Sequence, residues 1–423
     1  MLKNLKRILF TSIIFLIPIN LGKHFVSVEA YVRSRLIDYL VPTIWLIDIL
    51  IFILLILWVI DGGLKRIKRK NLFRYIIVFT AVLIPSVLVA PRLEASIYFF
   101  LTLLLRLFFM FYVAEECNIE NNFSKIIRIL SVSLFLVSLL GIFQWVKQGS
   151  IFNNYLFFGE QPYGPSSFDV AKVNLFGRIK IPVYGTFRHP NIFAGFLSTV
   201  LLWLYFYISH KDNNILLKIA FTLGFLALIL TFSQTALFSF SLSVLLLILV
   251  EKFGKKGVII SLLITALIFI LSLTIFVFDI PALSGFYNDP SFFRRANLLK
   301  SAYEMIQENI FFGVGLNNFT VVLPNFLPLS QILIFNQPVH NVFVLLFAEA
   351  GIFVFVLFIM LILFSIKTLL KQSYGVAAIL FITILHFIIL GSFDHYLLTI
   401  HQTQVMFWLT LGLSLAYTEI DEK

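Results

Sequence analysis

Charged residues are scarce in this chain. Asp, Glu, Lys and Arg make up 13% of its 423 residues, against about 25% in an average soluble domain. Hydrophobic residues reach 60%, and Phe alone contributes 50 residues. A soluble domain cannot bury that much apolar surface, and a disordered chain requires low hydrophobicity. The composition therefore excludes both a soluble globular enzyme and a disordered chain.

Several signatures of metal, nucleotide and disulfide chemistry are also missing. The single cysteine, Cys117, has no partner for a disulfide within the chain. The sequence has no His-Glu-x-x-His motif or cysteine cluster for zinc, and no closely spaced pair of carboxylates in the predicted outer loops for a divalent ion. No glycine-rich nucleotide loop occurs in the short loops. We expect no metal, no cofactor and no coupling to ATP.

Long apolar runs dominate what remains. They are continuous rather than alternating, which excludes a transmembrane β-barrel and predicts helices of about 20 residues each. The predicted fold is all-α, one integral membrane domain over residues 1–423 with about twelve membrane spans. The spans are placed at residues 8–22, 39–60, 72–90, 95–114, 126–147, 190–209, 215–231, 234–250, 257–277, 340–366, 374–392 and 399–418. The polar residues 231–235 predict a tight turn between the seventh and eighth spans.

The distribution of basic residues predicts the orientation. The net charge of +11 is explained by topology and lipid contact rather than by nucleic acid. Of the 32 Lys and Arg residues, 19 fall on the side of the termini, 12 on the other side, and Arg106 within a span. Both termini are therefore predicted to be cytoplasmic. The first segment resembles a signal peptide, but we expect it to remain as a span because 28–30 is a poor cleavage site.

Two long loops, residues 148–189 and 278–339, are predicted to face outward. Loops of this length are usually functional or disordered, and these contain aromatic residues, prolines and short apolar runs. Long loops escape the positive-inside rule, so their arginines call for another explanation. The region 278–339 also contains an amphipathic pattern over 291–308, which predicts a surface helix.

Arginines and a histidine lie at the start of the sixth span and at the start of the surface helix. Arg188, His189, Pro190 and Asn191 stand at the outer start of the sixth span, where a helix N-terminus and a cation suit a phosphate. The alternative is an arginine that extends to the membrane interface beside a turn. Arg294 and Arg295 fall in the first turns of the surface helix, and a cation there opposes the helix dipole. A bound anion would explain them; lipid head groups are the alternative.

Other candidate residues lie near the last three spans. His340 and Asn341 stand at the outer mouth of the tenth span, where the His could act as a general base, although a lone interfacial His is more often structural. Asp394 is one of few outward acids and could orient a His, pair with an Arg, or simply cap a helix.

Charges within a membrane are usually paired, so Arg106 is expected to pair with Asp48 or Glu349.

The sequence resembles the O-antigen ligase and O-antigen polymerase superfamily of bacterial membrane glycosyltransferases. The matching segments run in order from about 185 to 412, the region that resembles the family core. They are residues 188–195, 230–236, 313–319, 339–341, 348–351, 394–396 and 407–412. The N-terminal third of the chain matches in hydropathy alone. Gln234 departs from the pattern, which often has Arg there, so no anion-binding role is expected at that turn.

The resemblance implies a GT-C-like fold and a metal-independent glycan transfer on the outer face of the cytoplasmic membrane. The implied donor is a glycan on undecaprenyl diphosphate, and the acceptor is a glycan, a lipid or a protein. His340 would be the general base and Arg188, Arg294 and Arg295 would hold the diphosphate, with His189, Asn191, Asn341, Glu349 and Asp394 in support. The alternatives are a flippase for lipid-linked oligosaccharides and a protein O-oligosaccharyltransferase. The sequence does not distinguish ligase from polymerase.

Overall fold

The computed structural model describes residues 2–168, 170–212, 214–274, 290–332, 335–372 and 375–418. This part of the chain is mostly α-helical. Its helices are α1 (Leu2–Leu16), α2 (Leu46–Ile60), α3 (Lys70–Leu88), α4 (Leu93–Glu116), α5 (Ile119–Lys147), α6 (Pro190–His210), α7 (Ile215–Leu230), α8 (Gln234–Phe253), α9 (Lys255–Thr274), α10 (Pro290–Glu308), α11 (Phe319–Val322), α12 (Leu329–Ile332), α13 (Val342–Leu370), α14 (Val376–Phe393), α15 (Tyr396–Thr399) and α16 (His401–Leu415).

Strands are few and short in the described residues, and they form three antiparallel pairs. They are β1 (Gly22–His24) with β4 (Thr43–Trp45), β2 (Tyr31–Val32) with β3 (Arg35–Leu36), and β5 (Val173–Leu175) with β6 (Arg178–Lys180). In the first pair Gly22 lies opposite Trp45 and His24 opposite Thr43. The first two pairs lie between α1 and α2, so they cover the end of the bundle at which α2 begins.

Eight helices of the described chain are long and apolar enough to cross a membrane. They are Lys70–Leu88, Leu93–Glu116, Asn122–Lys147, Pro190–His210, Gln234–Phe253, Lys255–Thr274, Val342–Leu370 and Val376–Phe393. Two apolar helices, α2 and α7, are shorter. These helices confirm an α-helical, multi-pass membrane protein. Each of the twelve predicted spans overlaps one helix, but the number of crossings stays a prediction.

The centre of the bundle is formed by α6, α14 and α16, whose side chains are almost all buried. Some of their polar side chains form hydrogen bonds between helices, which favours burial in a low-dielectric interior. His386 on α14 lies 3.0 Å from the hydroxyls of both Ser198 and Ser243. The indole of Trp203 donates to Thr383 Oγ1 at 2.8 Å. These contacts fix α14 against α6 and α8.

The predicted intramembrane ion pair is present. The guanidinium of Arg106 on α4 contacts the carboxylate of Asp48 on α2, and the Arg106 side chain is fully buried. Of the two partners predicted for Arg106, Asp48 is therefore the correct one. Glu349 contacts a different part of the chain.

Exchanging the charges of Arg106 and Asp48 tests whether their pairing stabilises the folded protein. Arg106→Asp or Asp48→Arg alone leaves like charges in contact, which should sharply reduce the yield of folded protein, since uncompensated buried charges cost about 3–5 kcal/mol. The double variant restores opposite charges and should recover much of that yield, measured as monodisperse protein in detergent. A double variant no better than either single one would contradict the pairing.

The predicted turn between the seventh and eighth spans is confirmed. Helix α7 ends at Leu230 and α8 begins at Gln234. The hydroxyl of Thr231 donates to Leu228 O at 2.6 Å and accepts from Ser233 N at 3.2 Å. The local hydrogen bonds of a short polar side chain thus end the first helix.

The amphipathic helix predicted for 291–308 is also confirmed as α10. Its buried side chains are Ala296, Leu298, Leu299, Ala302 and Met305, which lie on one side of the helix. Helix α10 also packs against α13, so its contacts are not limited to the membrane surface. This packing carries its N-terminal arginines towards the start of α13.

Helix α13 is interrupted at Gly351, whose backbone is at φ 77° and ψ −179°. The backbone after α10 fills the break: Val314 N donates to Ala348 O at 2.8 Å and Ile352 N donates to Ile310 O at 2.9 Å. The carboxylate of Glu349 accepts from Phe319 N at 3.0 Å. The glycine-containing segment 313–319 and the segment 348–351 therefore form one structural unit that holds the first turns of α13 in place.

Candidate functional site

Two histidines and a carboxylate meet at one end of the bundle. His340 directly precedes α13, and Asp394 and His395 lie between α14 and α15. One ligand atom from each of the three side chains lies within 4.8 Å of the other two. The rings of His340 and His395 are in edge contact, with centroids 5.2 Å apart. The three residues form the histidine cluster of the following paragraphs.

Asn341 joins the two segments that carry this cluster. Its Oδ1 accepts from Phe343 N and Val344 N at 3.0 and 3.1 Å and so caps α13. Its Nδ2 donates to Ser392 O at 3.1 Å, in the last turn of α14. The position of His340 relative to Asp394 is therefore set by a buried side chain, and the role of Asn341 is structural.

Hydrogen bonds hold His395 within the cluster. Its backbone N–H donates to Asp394 Oδ1 at 2.8 Å, and its Nδ1 lies 2.8 Å from Thr399 Oγ1. The edge of the ring also contacts Tyr39, with centroids 5.4 Å apart. By contrast, His340 Nδ1 is buried without a hydrogen-bond partner among the described residues. Of the two imidazoles, His340 is the one whose Nδ1 has no hydrogen-bond partner in the described structure.

Burial favours the neutral form of both imidazoles. Desolvation lowers the pKa of His340 to about 3, although Asp394 acts in the opposite direction. The pKa of His395 is lowered for the same reason. Burial raises the pKa of Asp394, but His340, His395 and Arg295 together outweigh it and lower that pKa overall. At neutral pH the cluster thus combines a neutral imidazole base with an ionised carboxylate.

Arg295 and His189 lie next to the cluster. Arg295, in the second turn of α10, lines a small cavity together with His340 and Asn341, and its charge acts on His340, Asp394, His395 and His189. His189 Nδ1 accepts from Asn191 N at 3.2 Å and caps α6. Arg295 and His189 were both predicted to lie near a phosphate, and they belong to the starts of different helices. In the structure both lie next to His340.

The other predicted residues lie apart from the cluster. Arg188 pairs with Asp38 at the rim of a neighbouring cleft. The guanidinium of Arg294 lies over the ring of Phe335, 5.0 Å from its centroid. Glu349 holds the segment 313–319, and the backbone N–H of Asn191 donates to His189 Nδ1.

The roles of His395, Tyr39 and Thr399 at the site were not predicted from the sequence. Adjacency to Asp394 was the available signal for His395, because a carboxylate next to a histidine often orients an imidazole. Nothing in the sequence pointed to Tyr39, which reaches His395 from a loop more than 350 positions earlier in the chain.

The histidine cluster also has the composition of a metal site. Two imidazoles and one carboxylate would suit Zn²⁺ better than Mg²⁺, which prefers oxygen ligands. The bond between His395 Nδ1 and Thr399 resembles the contact that orients a ligating histidine. The activity of the protein must therefore be measured both with and without a chelator.

Comparison with known families gives one match. Residues 219–359 match the family described as O-antigen ligase. The matched segment contains α8, α9, α10, Arg295, His340 and Glu349, and it ends before Asp394 and His395. No curated protein matches the chain.

Proposed function

We propose that the chain transfers a glycan from undecaprenyl diphosphate to an acceptor hydroxyl, and the match of residues 219–359 to the O-antigen ligase family supports this. The family supports a membrane glycosyltransferase that acts on lipid-linked glycans. The reaction would be ligase-like or polymerase-like and would take place on the outer face of the cytoplasmic membrane. The observation that carries the proposal is the position of the His340 imidazole beside Asp394 and Arg295, with an Nδ1 that has no partner among the described residues.

In the proposed reaction His340 is the general base. Its imidazole takes the proton of the acceptor hydroxyl, whose oxygen forms a bond to the anomeric carbon of the donor. The bond between that carbon and the diphosphate oxygen breaks, and undecaprenyl diphosphate leaves with the electron pair. Asp394 stabilises the imidazolium that forms, as a carboxylate does beside a catalytic histidine. No residue forms a covalent intermediate.

Arg295 is the first candidate for holding the diphosphate, because it lies closest to His340 of the three predicted arginines. A guanidinium offers paired donors to phosphate oxygens and stabilises the charge that develops on the leaving group. Arg188 is engaged by Asp38 and Arg294 by Phe335. His189 would contribute a further N–H donor from its Nε2. The proposed mechanism routes no step through a metal.

Replacing Arg295 with Ala should raise the KM for the lipid-linked donor by about tenfold or more, since charge-assisted hydrogen bonds contribute about 1.5–3 kcal/mol. Arg178→Ala is the matched control, because Arg178 is exposed on β6, away from the cluster. Steady-state kinetics with purified protein and an undecaprenyl-diphosphate-linked glycan provide the measurement. Equal donor KM values for both variants would remove Arg295 from the diphosphate site.

The lowered pKa of His340 leads to a prediction about pH. A base whose pKa lies near 3 is deprotonated throughout the neutral range, so it does not limit the rate until the medium is strongly acidic. We therefore expect the acid limb of kcat/KM to lie well below 6.5, the ordinary value for histidine. A rate that halves near pH 6.5, in a protein that remains folded there, would contradict this environment for His340.

A further inference from the structure

Another cavity lies at the end of the bundle opposite the histidine cluster. It has a volume of about 430 Å³ and lies between the end of α8, the start of α9, the end of α13 and the start of α14. Helices α8, α9 and α13 all pack against α14. Helix α14 has 18 residues and ends directly before Asp394, so it separates the cavity from the proposed catalytic site by about 27 Å at 1.5 Å per residue.

The walls of this cavity are apolar. Its inner part is formed by side chains that are at most 6% exposed, namely Val250, Leu369, Ala377, Ala378 and Phe381. Ile259 and Leu370 line the cavity where it opens and are 56% and 44% exposed. They belong to α9 and α13, which are both long and apolar enough to cross a membrane. An apolar gap that opens between two such helices suits an alkyl chain of a lipid.

Lysines are concentrated around the polar end of the cavity. Lys255 lines it, together with the amide of Gln372. Four further lysines stand within two residues of a lining residue in the sequence, and they are Lys252, Lys256, Lys367 and Lys371. The only acidic residue in segments 250–259 and 367–381 is Glu251, whose carboxylate lies 3.3 Å from His210 Nε2. This end of the cavity therefore carries an excess of positive charge.

The positions of Lys255 and Lys256 call for an anion. Lys252 and Lys367 stand in the last turns of α8 and α13, where the helix dipole by itself favours a cation. Lys255 and Lys256 stand in the first turn of α9, where the dipole disfavours a cation. Among the described residues, neither of these two lysines forms an ion pair with Asp or Glu. A negatively charged ligand at the mouth of the cavity would stabilise both ammonium groups.

We propose that this cavity binds one anionic phospholipid. An acyl chain of the lipid lies in the apolar gap between α9 and α13, and its phosphate lies against Lys255 and Lys256. Basic pockets between the ends of membrane helices suit anionic head groups. A zwitterionic lipid carries a cation next to its phosphate, and the surrounding lysines repel that cation. The proposed site does not depend on glycan transfer, and its test needs no glycan substrate.

Native mass spectrometry of the full chain in detergent tests the charged part of the site. The protein is titrated with dioleoyl phosphatidylglycerol, and with dioleoyl phosphatidylcholine as the zwitterionic reference. We expect one phosphatidylglycerol to bind in preference to phosphatidylcholine. The double variant Lys255→Gln/Lys256→Gln should bind it about twentyfold more weakly, since each lysine near an anionic lipid contributes about fivefold.

Lys211→Gln/Lys218→Gln is the matched control for this double variant. It removes two exposed lysines at the same end of the bundle, where α6 ends and α7 begins, and should bind phosphatidylglycerol as the wild type does. An equal loss of binding in both double variants would show general attraction to a basic surface. Either that result or equal affinity for the two lipids would overturn the proposal.

A second pair of variants tests the apolar part of the site. Ile259→Trp fills the cavity from its exposed side and should abolish binding of the preferred phosphatidylglycerol. Leu267→Trp is the control, because Leu267 lies two turns further along α9 at 57% exposure and does not line the cavity. Both proteins should elute as monodisperse peaks, since both side chains lie outside the core. Undiminished binding in Ile259→Trp would place the lipid on the surface lysines alone and overturn its assignment to the cavity.

Discussion

Replacing His340 with Gln is expected to reduce glycan transfer by about 10²–10⁴-fold, the usual contribution of a general base. An amide retains the size of the side chain and some of its hydrogen bonding but cannot accept a proton at neutral pH. Binding of the lipid-linked donor should persist, because the proposed diphosphate ligand, Arg295, is unchanged. Transfer and donor binding are measured separately on the same purified preparation.

His210→Gln is the control for this experiment. His210 ends α6 at the opposite end of the bundle, where its Nε2 lies 3.3 Å from a Glu251 carboxylate oxygen. This variant should transfer glycan at the wild-type rate. Transfer by the His340 variant at the wild-type rate would eliminate His340 as the base, and loss of both transfer and folded protein would show that the imidazole is needed for structure.

Replacing Gly351 with Ala should have the largest effect on stability. The added Cβ would lie 2.1 Å from Phe311 O, and the backbone at φ 77° and ψ −179° is favourable only for glycine. Backbone strain of about 1–3 kcal/mol and steric overlap of about 1–3 kcal/mol act together. Since native proteins are stable by only about 5–15 kcal/mol, we expect a large loss of folded protein.

Gly375→Ala separates these two contributions. Gly375 also lies outside the left-handed helical region, with φ 110° and ψ −127°, but nothing lies within 4 Å of a Cβ added there. This control experiences an unfavourable backbone conformation without the overlap, and it should remain largely folded. Thermal unfolding of both variants in the same detergent is the measurement. Equal unfolding temperatures would contradict the account of the break in α13 as a site of close backbone packing.

Hydropathy and local polarity were enough to predict the helices and the turn between α7 and α8. These features depend on apolar run length and on short-range hydrogen bonds, such as those of Thr231, which are encoded within a few residues. The Arg106–Asp48 pair was predictable as one of two choices because a buried charge needs a partner. The choice between Asp48 and Glu349 required knowledge of which helices are neighbours.

The arrangement of the site was less predictable. His340 and Asp394 are 54 positions apart in the sequence, and they meet because Asn341 bonds to the end of α14. Similarly, Arg188 and Arg295 carry equivalent sequence signals, a cation beside a helix N-terminus. Only the packing of α10 against α13 brings Arg295 to His340, while Arg188 turns towards Asp38.

The most direct test of the central claim follows both products of one reaction in the presence of EDTA. Purified protein is supplied with a radiolabelled glycan on undecaprenyl diphosphate and with an acceptor. We expect equal amounts of released undecaprenyl diphosphate and glycosylated acceptor, at the same rate with and without the chelator. A glycan that stays on its lipid while it crosses a vesicle membrane would indicate a flippase instead. Transfer that is abolished by EDTA and restored by Zn²⁺ would identify the histidine cluster as a metal site and contradict the role of His340 as a free base.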